Sequence, residues 1–168
     1  MATVALQQVS SSFARENAGR TLDKPVGLKF ISRYITPELL ASLEAQCQDN
    51  AVFIWGSKEE RSHQTYKVVG KQALFFFRRD QQIYKYGIVI EKTVNQALAE
   101  SLWGTDVSGE SWSTIYFFSR IKNKFIPASQ INKLLGRSEK DNWQGLVVLS
   151  MKDSEKVDAF FNRELQQP

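Results

Sequence analysis

Ala73-Leu74-Phe75-Phe76-Phe77, then Arg79-Asp80-Gln81, then the run from Ile83 to Ile90: an apolar segment, a polar turn, and a second segment rich in Ile, Tyr and Val. Two such segments separated by so few residues read as an antiparallel β-hairpin. Toward the N-terminus, Ala51-Val52-Phe53-Ile54-Trp55 is a short apolar run ending at Gly56, the pattern of a central strand. Before it, Thr36-Pro37-Glu38 supplies a hydroxyl cap, Pro at the first helical position and an acid at the positive dipole end, which predicts a helix burying Leu39, Leu40 and Leu43. Leu28-Lys29-Phe30-Ile31 reads as a first strand. Residues 1–27, interrupted by Ser10-Ser11-Ser12, Gly19, Pro25 and Gly27, read as a partly ordered arm ahead of one domain, 28–168. Toward the C-terminus, Thr93 caps a short helix carrying Ala97, Leu98 and Leu102, and a Gly/Ser/Asp loop follows at 104–111. Trp112 to Phe118 is a strand, Ser129 to Leu135 a helix stopped by Gly136, and Leu146 to Leu149 a last strand. Asp153 to Leu165 closes the chain as a helix with Val157, Phe160 and Phe161 inward. Without regular βαβ repetition, the expected class is α+β: a small curled sheet or barrel surrounded by short helices.

Composition narrows the chemistry. The chain has 168 residues, 42% hydrophobic and 24% charged, within the range of a single domain. One Cys and one His exclude an intrachain disulfide framework and argue against a zinc site. Cys47 falls on the polar flank of a helix with no cue for a lowered pKa, and His63 sits in the polar loop Ser62-His63-Gln64, as an exposed His does. Glu59-Glu60 are adjacent acids that nothing in the sequence sets around a substrate. Neither Gly-rich phosphate-loop pattern occurs. No run of 18 apolar residues and no secretory signal is present, so the expectation is a cytoplasmic protein with no membrane partner. No catalytic residue, metal or cofactor is expected, and a binding domain is favoured over an enzyme.

The net charge of +4 is uneven. Residues 58–92 carry +4 and residues 117–140 carry +5, bracketing residues 93–116, which have no Lys or Arg and a charge of −3. Charge runs are commonly just solvated faces, but two basic segments also suit a polyanion. The aromatic residues add flat surfaces: Trp55 ends an apolar strand, Trp103 and Trp112 flank the acidic loop, and Trp143 precedes the last strand. A Trp is most often a core residue. Three near loops and strand ends are also placed to enclose a planar base, with stacking of about 1–3 kcal/mol per base and about 0.8 kcal/mol for a buried methyl group.

The order of these segments resembles the YTH/EVE branch of the PUA-like superfamily, readers of modified bases, over roughly residues 50 to 150. Four pieces carry the resemblance: Ala51 to Ser57; Ala73 to Phe77 with Tyr86-Gly87-Ile88-Val89; Leu102-Trp103-Gly104 to Trp112; and Ile115-Tyr116-Phe117-Phe118 through Ile126 to Gly136, ending in Gln144-Gly145. The last is similar to the closing segment of EVE-type domains. The resemblance implies a pocket of Trp55, Trp103 and Trp112, with Ser57 and the backbone around Asn50 and Ala51 meeting the base edge, and Gln144-Gly145 serving the fold. It implies a partner, double-stranded DNA with a methylated base flipped into that pocket, N6-methyladenine first and 5-methylcytosine close behind; modified single-stranded RNA is the alternative. Lys58, Arg61, Arg78, Arg79, Arg120, Lys122 and Lys124 are the candidates for backbone phosphates. Similar domains of the McrB type are the specificity part of modification-dependent restriction systems, which implies a GTPase/AAA motor and a nuclease as further partners.

Overall fold

The computed structural model describes residues 3–58 and 65–167; Glu59, Glu60, Arg61 and His63 lie outside them. In chain order the elements are β1 (Val4–Gln8), α1 (Ser12–Thr21), β2 (Val26–Gly27), α2 (Leu28–Ile31), α3 (Pro37–Gln46), β3 (Ala51–Ser57), β4 (Leu74–Arg79), β5 (Gln82–Val94), α4 (Gln96–Trp103), β6 (Thr114–Pro127), α5 (Ala128–Leu134), β7 (Leu146–Val148) and α6 (Met151–Gln166). The strands form one mixed sheet in the order β2-β3-β6-β5-β4-β1-β7. All neighbours are antiparallel except β1 and β4, which run parallel. The α+β class holds, and the sheet is open.

It is nevertheless strongly curled. Strands β4 and β6 have β5 between them, so in a flat sheet they lie about 9–10 Å apart. Yet the rings of Phe75 on β4 and Tyr116 on β6 have centroids only 5.1 Å apart. Trp55 on β3 and Phe77 on β4 are three spacings apart in order, and their rings meet edge to face at 5.9 Å. Register shifts supply the curvature, between Phe77 and Arg78 and at three places along β5, because a bulge bends and twists its strand. Gly87 sits at one of them: a Cβ there would lie 2.6 Å from the Ile121 side chain and 3.1 Å from the Arg120 carbonyl. The concave face holds Ala5, Trp55, Phe75, Phe77, Tyr116 and Phe118 beneath α1. The convex face is covered in two places, Phe76 and Ile126 by α5 and α6, and Ile54 and Phe117 by α2, α3 and α4.

Four local expectations are corrected. Residues 3–27 are not a loose arm, because Val4, Ala5 and Leu6 are buried and β1 is inserted between β4 and β7. Leu28–Ile31 is a helical turn, since Leu28 and Ile31 are the buried pair, a spacing of three that suits a helix and puts a strand's residues on opposite faces. The cap of α4 is Asn95, whose side chain accepts from Leu98 N, while Thr93 remains in β5. Strand β6 continues nine residues past Phe118, since its polar outer half pairs with the first half of β5. The predicted start of α3 stands, with the Thr36 hydroxyl accepting from Leu39 N.

The placement of β1 is open to test. Leu6→Ala is expected to destabilise the protein by about 2–5 kcal/mol, the range for a truncated buried Leu, read from urea unfolding. A change indistinguishable from zero would return this segment to the status of an arm.

Candidate functional site

The curl brings the C-terminal end of β3 toward the C-terminal end of β1, and a cleft of about 560 Å³ opens between them. Its walls are Gln7 and Gln8, the first turns of α1 (Phe13 and Asn17), Trp55 to Lys58, the loop around Asp106 to Trp112, and Gln144 to Leu146. At the floor, Trp55 shares the concave face with Phe53, two residues before it on β3, while the next residue, Gly56, permits a close approach. A Cβ at Gly56 would lie 2.5 Å from the ring of Trp103 and 2.6 Å from the Trp112 carbonyl. Half-buried Trp112 stands at the rim, its ring 6.2 Å from that of Phe13, with the Lys58 ammonium 5.7 Å from its centroid.

Several buried polar atoms in this region have no hydrogen-bond partner among the described residues. Gln7 Oε1, Trp55 Nε1 and Ser57 Oγ all belong to residues lining the cleft. The Gln7 amide is oriented, because its Nε2 donates to the Gln8 carbonyl at 2.8 Å, leaving Oε1 as an acceptor. Behind them burial pushes the Tyr116 hydroxyl up to about 12; Thr65 and Ser57 beside it pull it the other way. The Ser57 and Tyr116 hydroxyls are neighbours without hydrogen-bond geometry. Leaving a buried polar group unpaired costs about 1–3 kcal/mol, so such groups clustered in a concave site are open to partners from outside the chain.

The acidic loop is a built turn. Asp106 Oδ1 accepts from Ser108 N and Glu110 N, both at 2.9 Å, and the Asp106 and Glu110 backbones bond at 2.8 Å. The Lys58 ammonium binds Asp106 Oδ2 and lies 3.8 Å from Glu110. That hydrogen bond, then the one from Glu110 N, hold the Asp106 carboxyl below its ordinary value.

Trp55, Ser57, Lys58 and Trp112 thus meet in one place, but other expected site residues do not. Trp103 is buried behind Gly56, and its indole N–H donates to Thr21 Oγ1 at 3.2 Å; it supports the floor and lines no part of the cleft. Asn50 and Ala51 are at the far end of β3, where the Asn50 carbonyl accepts from Leu28 N and Ala51 pairs with Gly27. Arg78 is 1% exposed, donates to the Asp80 and Asp141 carbonyls at 2.8 and 2.6 Å, and covers the Trp143 ring; it is committed to the interior and out of reach of a phosphate. Arg79 stacks on Tyr84 at 4.4 Å, and Lys124 donates to the Glu164 carbonyl. Arg120 and Lys122 are exposed on β6. The sequence pattern of an arm hides Gln7, Gln8, Phe13 and Asn17, although Val4 to Leu6 is a readable apolar run. Gln144 and Gly145, assigned by resemblance to the fold alone, also line the cleft. Among the described residues no cluster of His, Cys, Asp and Glu is placed to hold a metal ion, and no helix is long and apolar enough to cross a membrane.

Neither protein-family models nor curated proteins match this chain. Among solved structures it is similar to the N-terminal domain of Thermococcus gammatolerans McrB, solved bound to m5C DNA, with 17% identity and a TM-score of 0.70 over 98% of this chain and 99% of that one. The two share a fold. Looser similarities are to human THYN1 in complex with 5-methylcytosine-containing DNA (15% identity, TM-score 0.48, 99% of this chain and 100% of that one). An ASCH protein from Zymomonas mobilis is comparably distant (9%, 0.49, 93% and 96%).

Two measurements check the site. Gly56→Ala is expected to destabilise by about 1–3 kcal/mol through overpacking against Trp103, read from chemical denaturation; an unchanged midpoint would mean that the Trp103 contact is not tight. The Asp106 carboxyl, followed by NMR, is expected to titrate below an ordinary aspartate, and Lys58→Met to raise it. Because the folded value is depressed, the stability it contributes is present above the unfolded pKa, near pH 4, and is lost as pH falls through the folded one.

Proposed function

We propose that this chain is a non-catalytic DNA-binding domain that takes a methylated base, swung out of the duplex, into the cleft between β1 and β3. The observation that carries the reading is the set of unpartnered polar atoms on Gln7, Trp55 and Ser57 in a cleft rimmed by Trp112 and Phe13. A flat heteroaromatic ring with donors and acceptors along its edge matches that set. Stacking contributes about 1–3 kcal/mol, each hydrogen bond about 0.5–1.5 kcal/mol, and a buried methyl about 0.8 kcal/mol. Together these offset the few kcal/mol needed to unstack and unpair the base.

The fold shared with the Thermococcus domain supports DNA as the partner and moves 5-methylcytosine ahead of N6-methyladenine, reversing the order implied by sequence resemblance. Gln7 Oε1 suits the exocyclic amino group of either base. Among the described candidates, exposed Arg120 and Lys122, and Arg79 beside Tyr84, are the cations available for phosphates. Motor and nuclease functions of a restriction system belong, on this reading, to other domains or subunits.

Matched duplexes carrying 5-methylcytosine, N6-methyladenine or no modification, titrated by fluorescence anisotropy, test the proposal. The expected result is tightest binding to the 5-methylcytosine duplex, falling steeply with salt, and loss of that preference in Trp112→Ala. Equal affinity for modified and unmodified duplexes defeats it, and tighter binding to single-stranded RNA bearing the same base replaces DNA with RNA.

A further inference from the structure

Val107 is 93% exposed, more than any other large apolar side chain among the described residues. A lone exposed Val on a surface calls for no explanation, but this one is neither lone nor on a loose loop. It lines the same cleft as Phe13 and Trp112, so the cleft has an apolar rim. It sits in the turn from Asp106 to Glu110, which is fixed by the two Asp106 Oδ1 bonds, by backbone bonds from Asp106 N to the Glu110 carbonyl and from Gly109 N to the Asp106 carbonyl, and by Lys58. Gly109 takes φ +81°, a conformation natural to glycine. The turn is therefore ordered by folding, and the Val side chain has few rotamers to lose, so little ordering is left to be done on binding.

We propose that Val107 is the wedge that enters the base stack where the bound base has left it. This rests on the reading of the cleft as a base-binding site. Swinging out a base leaves a gap whose neighbours have each lost a stacking face, and apolar side chains inserted between base steps fill such gaps in proteins that distort DNA. The rigid turn presents one apolar side chain at the mouth through which the base passes. Its acids would repel a duplex, but Lys58 bridges Asp106 and Glu110 and halves the negative charge of the turn. Lys58 therefore holds the turn in place and is not a free phosphate contact.

A single strand has no stack to repair, and this separates the wedge from the cleft. Affinities are measured for the methylated duplex and for a single strand of the same sequence carrying the same methylated base. Val107→Ala is expected to weaken duplex binding by about tenfold and single-strand binding by clearly less, because only the duplex carries the cost of the gap. Val107→Leu is expected to restore duplex binding, and circular dichroism to show an unchanged fold for both variants. An unchanged duplex affinity in Val107→Ala, or an equal loss on both strands, overturns the wedge. Trp112→Ala is expected to weaken both substrates, since it removes the wall that the base meets. If it weakens neither, the cleft reading itself fails, whatever Val107 does.

Discussion

Aromatic packing across the concave face is the constraint from which the rest of the molecule follows. Phe75 meets both Tyr116 and Phe118, Phe77 meets Phe118 and Trp55, and these rings come from strands that are not neighbours in the sheet. Edge-to-face and tilted pairs at these separations add about 0.5–1.5 kcal/mol each beyond the area they bury, and they exist only if the sheet is rolled. Rolling it brings the end of β3 to the end of β1. The cleft is what remains where the roll fails to close.

That origin explains what the sequence made legible. The hairpin, the cap at Thr36 and the apolar faces of α5 and α6 depend on neighbours within a few residues, and their patterns survive in one dimension. The role of residues 4–8 does not, because Gln7 and Gln8 look like a break until the parallel pairing with β4 places them at the cleft. Leu28 to Ile31 shows the opposite problem: three apolar residues around Lys29 fit either period, and only burial of the first and fourth decides it.

For the site, residue type was informative and position was not. Trp103 and Trp112 flank the same loop and are equivalent in sequence. The glycine at position 56 separates them, since the Trp103 ring fills the space beside it while Trp112 is left at the rim. Basic residues behave similarly. Arg78 and Arg79 are adjacent, yet the first is buried against Trp143 and the second, half-buried, rides on Tyr84. Strand alternation implies opposite faces for such a pair, but which face is interior depends on the curl.

The insertion of β1 between β4 and β7 has a consequence for how the molecule forms. Leu6 pairs with Phe76 on one side and with Val147 on the other, so the first strand finds its neighbours some 70 and 140 positions later along the chain. Contacts this distant in sequence form slowly, because the loops they close must be ordered first. The cleft draws its walls from residues near 7, 13, 55, 110 and 145, so it is assembled only when the last sheet pairing is made. A partly folded chain can hold the β4–β5 hairpin and still lack the cleft, whose presence reports the arrival of the whole native topology.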